Sequence, residues 1–164
     1  MEKIVSIPDG KIRDYVDGKL RNDTAEEYVR QTIERRLVDE HRYPKTQIAI
    51  EFTLQNGSKR PRADIVVFEK NAEHVQTAVK IIVECKQSKI NPSAAKDGIE
   101  QLKSYMSLCV NCEWGMWTNS IQRFVFHKVE DKATRRANAS SRNITTFPPP
   151  RAVSPRLTAP PAQV

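Results

Sequence analysis

The chain has 164 residues, which suits one domain with a modest core and excludes a large multi-domain machine. Hydrophobic residues make up 38% of it and charged residues 29%, a globular composition without the apolar run of about 20 residues that a membrane helix needs. The N-terminal segment MEKIVSIPDGK also lacks the apolar stretch of a secretory signal, so we expect a cytoplasmic protein with no membrane partner.

The positive charge is unevenly distributed along the chain. The formal net charge is +7, but residues 1–127 contain 20 Lys and Arg against 18 Asp and Glu, a balance of only +2. Residues 128–164 contain the other 7 basic residues against 2 acidic ones, a balance of +5. Any affinity of the folded part for DNA would therefore have to come from a local basic face.

Three cysteines, Cys85, Cys109 and Cys112, are an odd number in a chain without an export signal, so we expect reduced thiols. Cys109 and Cys112 form a C-x-x-C pair, but a zinc or iron-sulfur site would need two more ligands at a workable spacing. Small buried hydrophobic side chains are the preferred interpretation of these thiols.

The first predicted helix starts at Asp23 or Thr24 and runs to about Glu40. An acidic first turn follows the cap, and apolar residues recur at helical spacing in the turns after it. The segment HRYP ends the helix, because the residue before a proline is pushed out of the helical region.

The remaining pattern predicts an α/β fold with a mixed sheet and helices on both faces. The run AVKIIVECK is nearly all apolar before its charged end, which is typical of a central strand. The strand–helix–strand step from Glu84 to Trp114 permits a right-handed parallel crossover. Hydrophobic periodicity and turn residues predict strands over 48–54, 61–69, 78–86, 114–118 and 123–127, and a second helix over about 93–109.

Residues 132–164 are predicted to be a disordered, basic, Pro-rich tail that follows a folded domain over 1–131. Six of the ten prolines lie between Pro148 and Pro161, and large apolar residues are almost absent, so the segment cannot bury enough surface to fold. A semi-rigid linker or docking segment is the alternative to an inert tail.

The segment IVECK places Glu84 and Lys86 two residues apart on a predicted strand. Alternation along the strand puts both on one side of the sheet and Cys85 on the other. Two charges in an ordinary core would cost roughly several kcal/mol each unless they were paired or bound to metal. Asp64, in the preceding strand PRADIVVF, is the candidate partner.

Together these residues predict a metal-dependent nuclease centre. Hydrolysis of a phosphodiester needs a nucleophilic water, stabilisation of charge on the phosphate and help for the leaving oxygen, all of which a divalent metal supplies. Mg²⁺, with Mn²⁺ as a substitute, prefers oxygen ligands, so Asp64, Glu84 and the backbone carbonyl of Cys85 are the predicted ligands. Lys86 is predicted to place the water and counter the phosphate charge. Each of these residues alone is common in proteins, so the prediction rests on their order along the predicted elements.

Two further elements add candidate residues to this centre. An acid from the first helix is expected. Glu26 is preferred because its spacing puts it near the apolar stripe, whereas Glu27 shares its side of the helix with the charged residues Arg30 and Glu34, a more polar line. Either residue could instead be an acid favoured by the helix dipole. Gln101 and Tyr105 lie one helical turn apart and could hydrogen-bond the metal water, Lys86 or the DNA backbone. The alternative is a surface Gln beside a half-buried Tyr.

The ordered set resembles the PD-(D/E)XK nuclease superfamily, and more narrowly the N-terminal nuclease domain of type I restriction enzyme R subunits. The segments that carry the resemblance cover roughly residues 13–127. It implies a restriction-endonuclease-like three-layer α/β/α fold with a central mixed sheet of about five strands. The matching segments are DYVDGKLRNDTAEEYVRQ, RADIVVF, IVECK, QLKSY and GMWTNS.

This resemblance assigns the family's motif positions to residues of the chain. Two departures are Arg62-Ala63 before the first acid, where the superfamily's name has Pro, and Ser120, where relatives tend to have Gly. The family's catalytic acids and lysine fall on Asp64, Glu84 and Lys86, its helix glutamate on Glu26 or Glu27, and its Q-x-x-x-Y motif on Gln101 and Tyr105.

A Mg²⁺-dependent DNA endonuclease domain acting on double-stranded DNA is therefore the leading hypothesis. Translocase or modification subunits are further candidate partners, because type I R subunits couple this domain to an ATP-driven translocase. The chain contains no G-x-x-x-x-G-K-[ST] loop, so ATP-dependent restriction is not expected of it alone. The alternatives are a catalytically silent module that binds DNA or protein, and a truncated remnant of the family.

Overall fold

The computed structural model describes residues 6–130 and 137–140, with only the backbone described for 129–130 and 137–140. Within these ranges the chain forms two sheets and two α-helices. In chain order the elements are β1 (Lys11–Arg13), β2 (Leu20–Asn22), α1 (Ala25–Arg35), β3 (Ile48–Thr53), β4 (Arg62–Phe68), β5 (Val79–Cys85), α2 (Ile99–Leu108), β6 (Trp114–Thr118), β7 (Arg123–Glu130) and β8 (Ala137–Ser140).

Helix α1 begins at a side-chain cap. Thr24 has an extended backbone, and its hydroxyl accepts a hydrogen bond from the Glu27 amide at 3.1 Å, which satisfies one of the free donors of the first turn. The structure therefore selects Thr24 over Asp23 as the cap. After Arg35 the chain continues as one π-helical turn over Arg36–Glu40, so the helical segment ends where the sequence predicted.

The α/β class and the mixed sheet are confirmed. The main sheet has six strands in the order β3-β4-β5-β6-β7-β8. Every neighbouring pair is antiparallel except β5 and β6, which are parallel and are joined through α2. Strand β5 lies between β4 and β6, as its apolar composition predicted, because only a strand covered by neighbours and by both cores can be apolar throughout.

Strand β8 was not expected. It pairs with β7 from His127–Ser140 to Glu130–Ala137 and lies inside the range 132–164, where the sequence predicted a tail. The sheet therefore has one strand more than the predicted five, and it extends past the proposed boundary at residue 131. The rest of the predicted tail lies outside the described residues.

Alternate residues of the central strands belong to two different hydrophobic clusters. Val29 and Ile33 of α1 pack in one cluster with Ile65 and Val83. Leu102 of α2 packs in the other cluster with the alternate strand residues, among them Val66, Ile82 and Trp117. Because successive side chains of a strand alternate in direction, the strand residues that cluster with α1 alternate with those that cluster with α2.

Helix α2 begins later than the predicted residue 93, since residues 91–98 form hydrogen-bonded turns. The Gly98 amide donates to the Ala94 carbonyl at 3.0 Å, and the Ile99 amide donates to the Pro92 carbonyl at 2.7 Å. A Cβ at Gly98 would lie 2.3 Å from the Ala94 carbonyl oxygen, so only glycine allows this close approach. Ser120, where relatives tend to have Gly, has φ 74° in the turn between β6 and β7.

The sequence patterns did not predict the hairpin of β1 and β2, whose three-residue strands are too short to show a period. All three cysteines are buried free thiols, and Cys109 and Cys112 pack in the cluster with α2. The described residues contain no group of three or more His, Cys, Asp or Glu that could hold a metal through side chains alone. Among the described residues, no helix has the length and apolar character needed to cross a membrane.

Candidate active site

The start of β4 and the end of β5 lie side by side, because these neighbouring strands are antiparallel. They lie at one edge of the sheet, a term used here for the edge formed by strand ends and not for an outer strand. Ile65 pairs with Val83, and the next position outward brings Asp64 opposite Glu84. Two hydrogen bonds join the strands here, and in each a backbone amide of one strand donates to a carboxylate of the other. The Asp64 amide donates to Glu84 Oε1 at 3.2 Å, and the Cys85 amide donates to Asp64 Oδ2 at 2.8 Å.

Lys86 follows β5 directly and brings its ammonium to both acids. Lys86 Nζ lies 3.2 Å from Glu84 Oε2 and 3.8 Å from Asp64 Oδ2. The lysine is only 7% exposed and Glu84 only 1% exposed. Burial alone would lower the pKa of Lys86, but Asp64 and then Glu84 outweigh burial, so the net pKa is raised and the lysine is positively charged.

The two carboxyl groups resist ionisation in this cluster. Burial raises the pKa of Asp64, while Lys86 and the Cys85 amide lower it. Burial, followed by the charge of Asp64, raises the pKa of Glu84 to about 8 against the opposing effect of Lys86. A single ammonium therefore does not compensate both acids, and a further positive charge beside them would favour their ionised forms.

Cys85 faces away from the acids. Its thiol is fully buried in the cluster that contains α1, and burial raises its pKa well above the usual value, so the side chain is an uncharged core group. Its backbone carbonyl remains only a predicted metal ligand.

The two first-turn acids of α1 have different surroundings. Glu27 is 5% exposed, and its carboxylate accepts hydrogen bonds from the Arg30 guanidinium and, at 3.1 Å, from Gln31 Nε2. Glu26 is half-buried and lines a cleft of about 310 Å³ together with Asp64. Burial raises the pKa of Glu26, and the charge of Lys86 acts in the opposite direction.

The periodicity argument placed Glu26 nearer the buried stripe, but Glu27 is the more deeply buried of the two acids. The choice of Glu26 itself stays a prediction. It is supported by the electrostatic influence of both Lys86 and Asp64 on Glu26 and by the commitment of Glu27 to Arg30.

Gln101 and Tyr105 are adjacent on α2, as their spacing predicted. Gln101 Nε2 donates to Tyr105 Oη at 3.1 Å, and Gln101 Oε1 is buried without a hydrogen bond from the described residues. Burial, followed by the charge of Glu84, raises the pKa of Tyr105. This dependence on Glu84 places the pair in the electrostatic environment of the acids, but its role in chemistry stays a prediction.

A buried charge network between α1 and β3 was missed. Arg30 is 7% exposed and lies between three acids: it contacts Glu27 closely, Glu51 at 3.4 Å and Glu34 at 3.9 Å. Its charge also lowers the pKa of Asp64, which connects the network to the candidate centre. A polar stripe with the spacing i, i+3, i+4, i+7 from Glu27 was the available signal, but its burial was not predicted.

Glu51 is the second unexpected member of this network. It lies in β3 between the pairs Ile50–Ile65 and Phe52–Ala63, and so is across from Asp64. Its φ of 53° is in the left-handed region, which non-glycine residues seldom adopt inside a strand and which costs of order 1–3 kcal/mol. The Glu51 carboxylate also pairs with Arg21 at 2.9 Å.

Glu34 makes the stability of the fold depend on pH. It is 0% exposed, and burial, followed by the charge of Asp14, raises its pKa from an ordinary 4.5 to about 8. The folded chain thus holds this proton more tightly than the unfolded chain, so stability is present below pH 4.5 and is lost as pH rises towards 8. One proton contributes at most about 1.4 kcal/mol per pH unit to this loss.

We expect Glu34→Gln to flatten the decline in unfolding free energy between about pH 5 and 8 relative to the parent chain. Urea denaturation at several pH values measures this, with the exposed Glu40→Gln as the matched control. Parallel curves for the parent and Glu34→Gln would mean that Glu34 is ionised normally in the fold.

The residues at the centre fit a hard divalent cation. Asp64 and Glu84 supply carboxylate oxygens at adjacent strand ends, and Asp64 Oδ2 and Glu84 Oε2 both lie within 4 Å of the same ammonium. Mg²⁺ keeps several waters and is usually bound by one or two carboxylates plus substrate phosphate, so it does not need three side-chain ligands. The incomplete charge balance of the two acids also suits an added cation.

The mixed sheet and this acid–lysine cluster define an α/β domain with a candidate centre at the ends of two central strands. The model of one protein family, the type I restriction enzyme R protein N terminus (HSDR_N), matches residues 25–140. The chain belongs to this family and is therefore a nuclease-related module of the restriction-modification class. Searches of curated proteins and of solved structures gave no match.

Proposed function

We propose that the chain is a Mg²⁺-dependent endonuclease domain of the PD-(D/E)XK type that hydrolyses phosphodiester bonds of double-stranded DNA. The observation that carries the proposal is the convergence of Asp64, Glu84 and Lys86, with the ammonium 3.2 Å from one acid and 3.8 Å from the other. A core that needed only stability would seldom bury two acids beside one lysine, because desolvation of the ions offsets most of their attraction.

Each side chain has a distinct task in this proposal. Asp64 and Glu84 would hold the cation, which when bound supplies charge stabilisation for the phosphate and a more acidic water. Lys86 carries a stable positive charge and would hold a phosphate oxygen or orient the attacking water. Glu26, half-buried in the same cleft as Asp64, would accept a hydrogen bond from water at the edge of the site.

Family membership supports the substrate class and the nuclease chemistry, since the matched family is part of a restriction enzyme. Double-stranded DNA, and translocase or modification subunits as protein partners, are proposed on that basis. A cytoplasmic location is proposed with them.

The direct test is incubation of the purified chain with supercoiled plasmid in Mg²⁺, in Mn²⁺ and in EDTA. Metal-dependent nicking or linearisation is expected, and isothermal titration should detect binding of Mn²⁺ by the parent chain. A chain that binds neither metal and cleaves in none of the three conditions would instead support a catalytically silent binding module.

A further inference from the structure

The loop between β3 and β4 is a basic hairpin located beside the candidate centre. With the first two residues of β4 it comprises residues 54–63, which contain Lys59, Arg60 and Arg62 and no acid, whereas residues 1–127 as a whole are nearly neutral. Arg62 and Asp64 are alternate residues at the start of β4, so both side chains leave the same side of the strand. The hairpin thus places a local excess of positive charge next to the acids.

The hairpin is held in one shape before any ligand arrives. The Leu54 amide donates to the Pro61 carbonyl at 2.8 Å, and Asn56 and Lys59 exchange backbone hydrogen bonds at 3.2 and 2.9 Å. The Arg60 guanidinium donates to the carbonyls of Gly57 and Lys59 at 2.7 and 2.9 Å. A preorganised loop loses little conformational entropy when it binds a partner.

The charges of the hairpin are available to an anion. Lys59 is exposed, and its ammonium has no hydrogen bond or ion pair to the described residues. The Arg62 side chain is 64% exposed, and Glu51 approaches it only to 3.9 Å. At the opposite edge of the sheet the situation differs, because Lys80 is paired with Glu69 and Glu113 at 3.2 and 3.0 Å.

A second basic loop follows β5 at the same edge as the hairpin. It contains Lys89 and Lys96, which are exposed and form no ion pair with the described residues. The Asn119 side chain donates to the Ile90 carbonyl at 2.9 Å and so attaches this loop to the end of β6. Two basic loops, one before β4 and one after β5, therefore adjoin the strand ends that carry the candidate centre.

We propose that the basic hairpin, residues 54–63, is a docking surface for the phosphate backbone of double-stranded DNA. The proposal rests on the nuclease function proposed above and adds the path of the substrate. Lys59 is five residues from Asp64, a separation of at most about 17 Å along extended chain, which equals the axial length of about five nucleotides of one DNA strand. Lys59 and Arg62 would contact phosphates on one side of the scissile bond, and Lys89 and Lys96 would contact those on the other side.

The test compares two charge reversals of exposed turn lysines. Lys59→Glu changes the hairpin, and Lys70→Glu, in the turn after β4 at the opposite edge, is the matched control with the same change in net charge. Binding of a fluorescent 20-base-pair duplex is measured by anisotropy in EDTA, so that no cleavage occurs, over a series of salt concentrations.

Lys59→Glu is expected to weaken duplex binding by about fivefold or more and to reduce the slope of log K against log salt by about 1, as loss of one phosphate contact requires. Lys70→Glu should remain within about twofold of the parent chain, and Lys59→Arg should restore binding. Equal binding by the two Glu variants of a chain that still cleaves plasmid would overturn the docking proposal alone. A parent chain that neither binds the duplex nor cleaves plasmid would overturn both proposals.

Discussion

Glu84→Gln should reduce plasmid cleavage in Mg²⁺ by about 100-fold or more, the largest functional effect expected of any single substitution in this chain. Glutamine keeps the shape of the side chain but removes the charge that would hold the cation, and even outer-shell changes at metal sites cost about 10- to 100-fold. The rate of appearance of nicked plasmid under single-turnover conditions measures the effect.

The matched control is Glu100→Gln on α2. The Glu100 side chain is 76% exposed and pairs only with Lys103 among the described residues, so its loss should leave cleavage unchanged. Thermal unfolding of both variants should show folded proteins. Undiminished cleavage by Glu84→Gln would remove this residue from the centre.

Substitution of Lys86 separates its role from that of Glu84. Lys86→Met should also lose cleavage, but it should bind Mn²⁺ at least as tightly as the parent chain because a positive charge beside the two acids has been removed. Glu84→Gln should lose both properties. If Lys86→Met lost Mn²⁺ binding instead, the lysine would be a structural partner of the acids and not a group that acts on the substrate.

Arg30→Met should destabilise the fold by about 3–5 kcal/mol at pH 7, the largest stability effect expected. The substitution keeps the buried volume but removes the closest cation of the buried Glu27 carboxylate, in an environment that disfavours unpaired charge. Guanidinium denaturation at pH 7, followed by circular dichroism, measures the loss.

Arg36→Met is the matched control from the same helical segment. Arg36 also has a glutamate four residues later, Glu40 at 3.1 Å, but the two side chains are 35% and 57% exposed. Exposed pairs of this kind contribute only about 0.2–1 kcal/mol, so the control should be close to the parent chain. Equal destabilisation by the two substitutions would show that Arg30 is not the centre of a buried network.

The candidate centre shows how far local patterns reach. Strand alternation predicted that Glu84 and Lys86 would lie together and that Cys85 would lie apart, and the structure has this arrangement. The hydrogen bond from Asp64 to Glu84 was not predictable, because it depends on the register between β4 and β5. Register is decided by how two strands pack, and neither strand alone contains that information.

The polar stripe of α1 shows the opposite case, in which a local pattern was misleading. Glu27, Arg30 and Glu34 have the composition of a solvated helix face, yet all three are buried. Hydropathy identifies apolar side chains that must leave water, but it does not reveal charges that leave water together because each has a partner. Those partners, Arg21 and Glu51, come from β2 and β3.

The sequence by itself determined the α/β class, the order of the main helices and strands, and the acid–lysine pattern that pointed to a nuclease-related module, and it permitted the parallel step from β5 to β6. These follow from periodicity, from residue spacing and from the order of elements along the chain. The tertiary structure decided the choice of partner for each charge, the burial of the α1 stripe, the strands β1, β2 and β8, and the position of the basic hairpin beside Asp64. These depend on contacts between segments far apart in the chain, and a local pattern does not encode them.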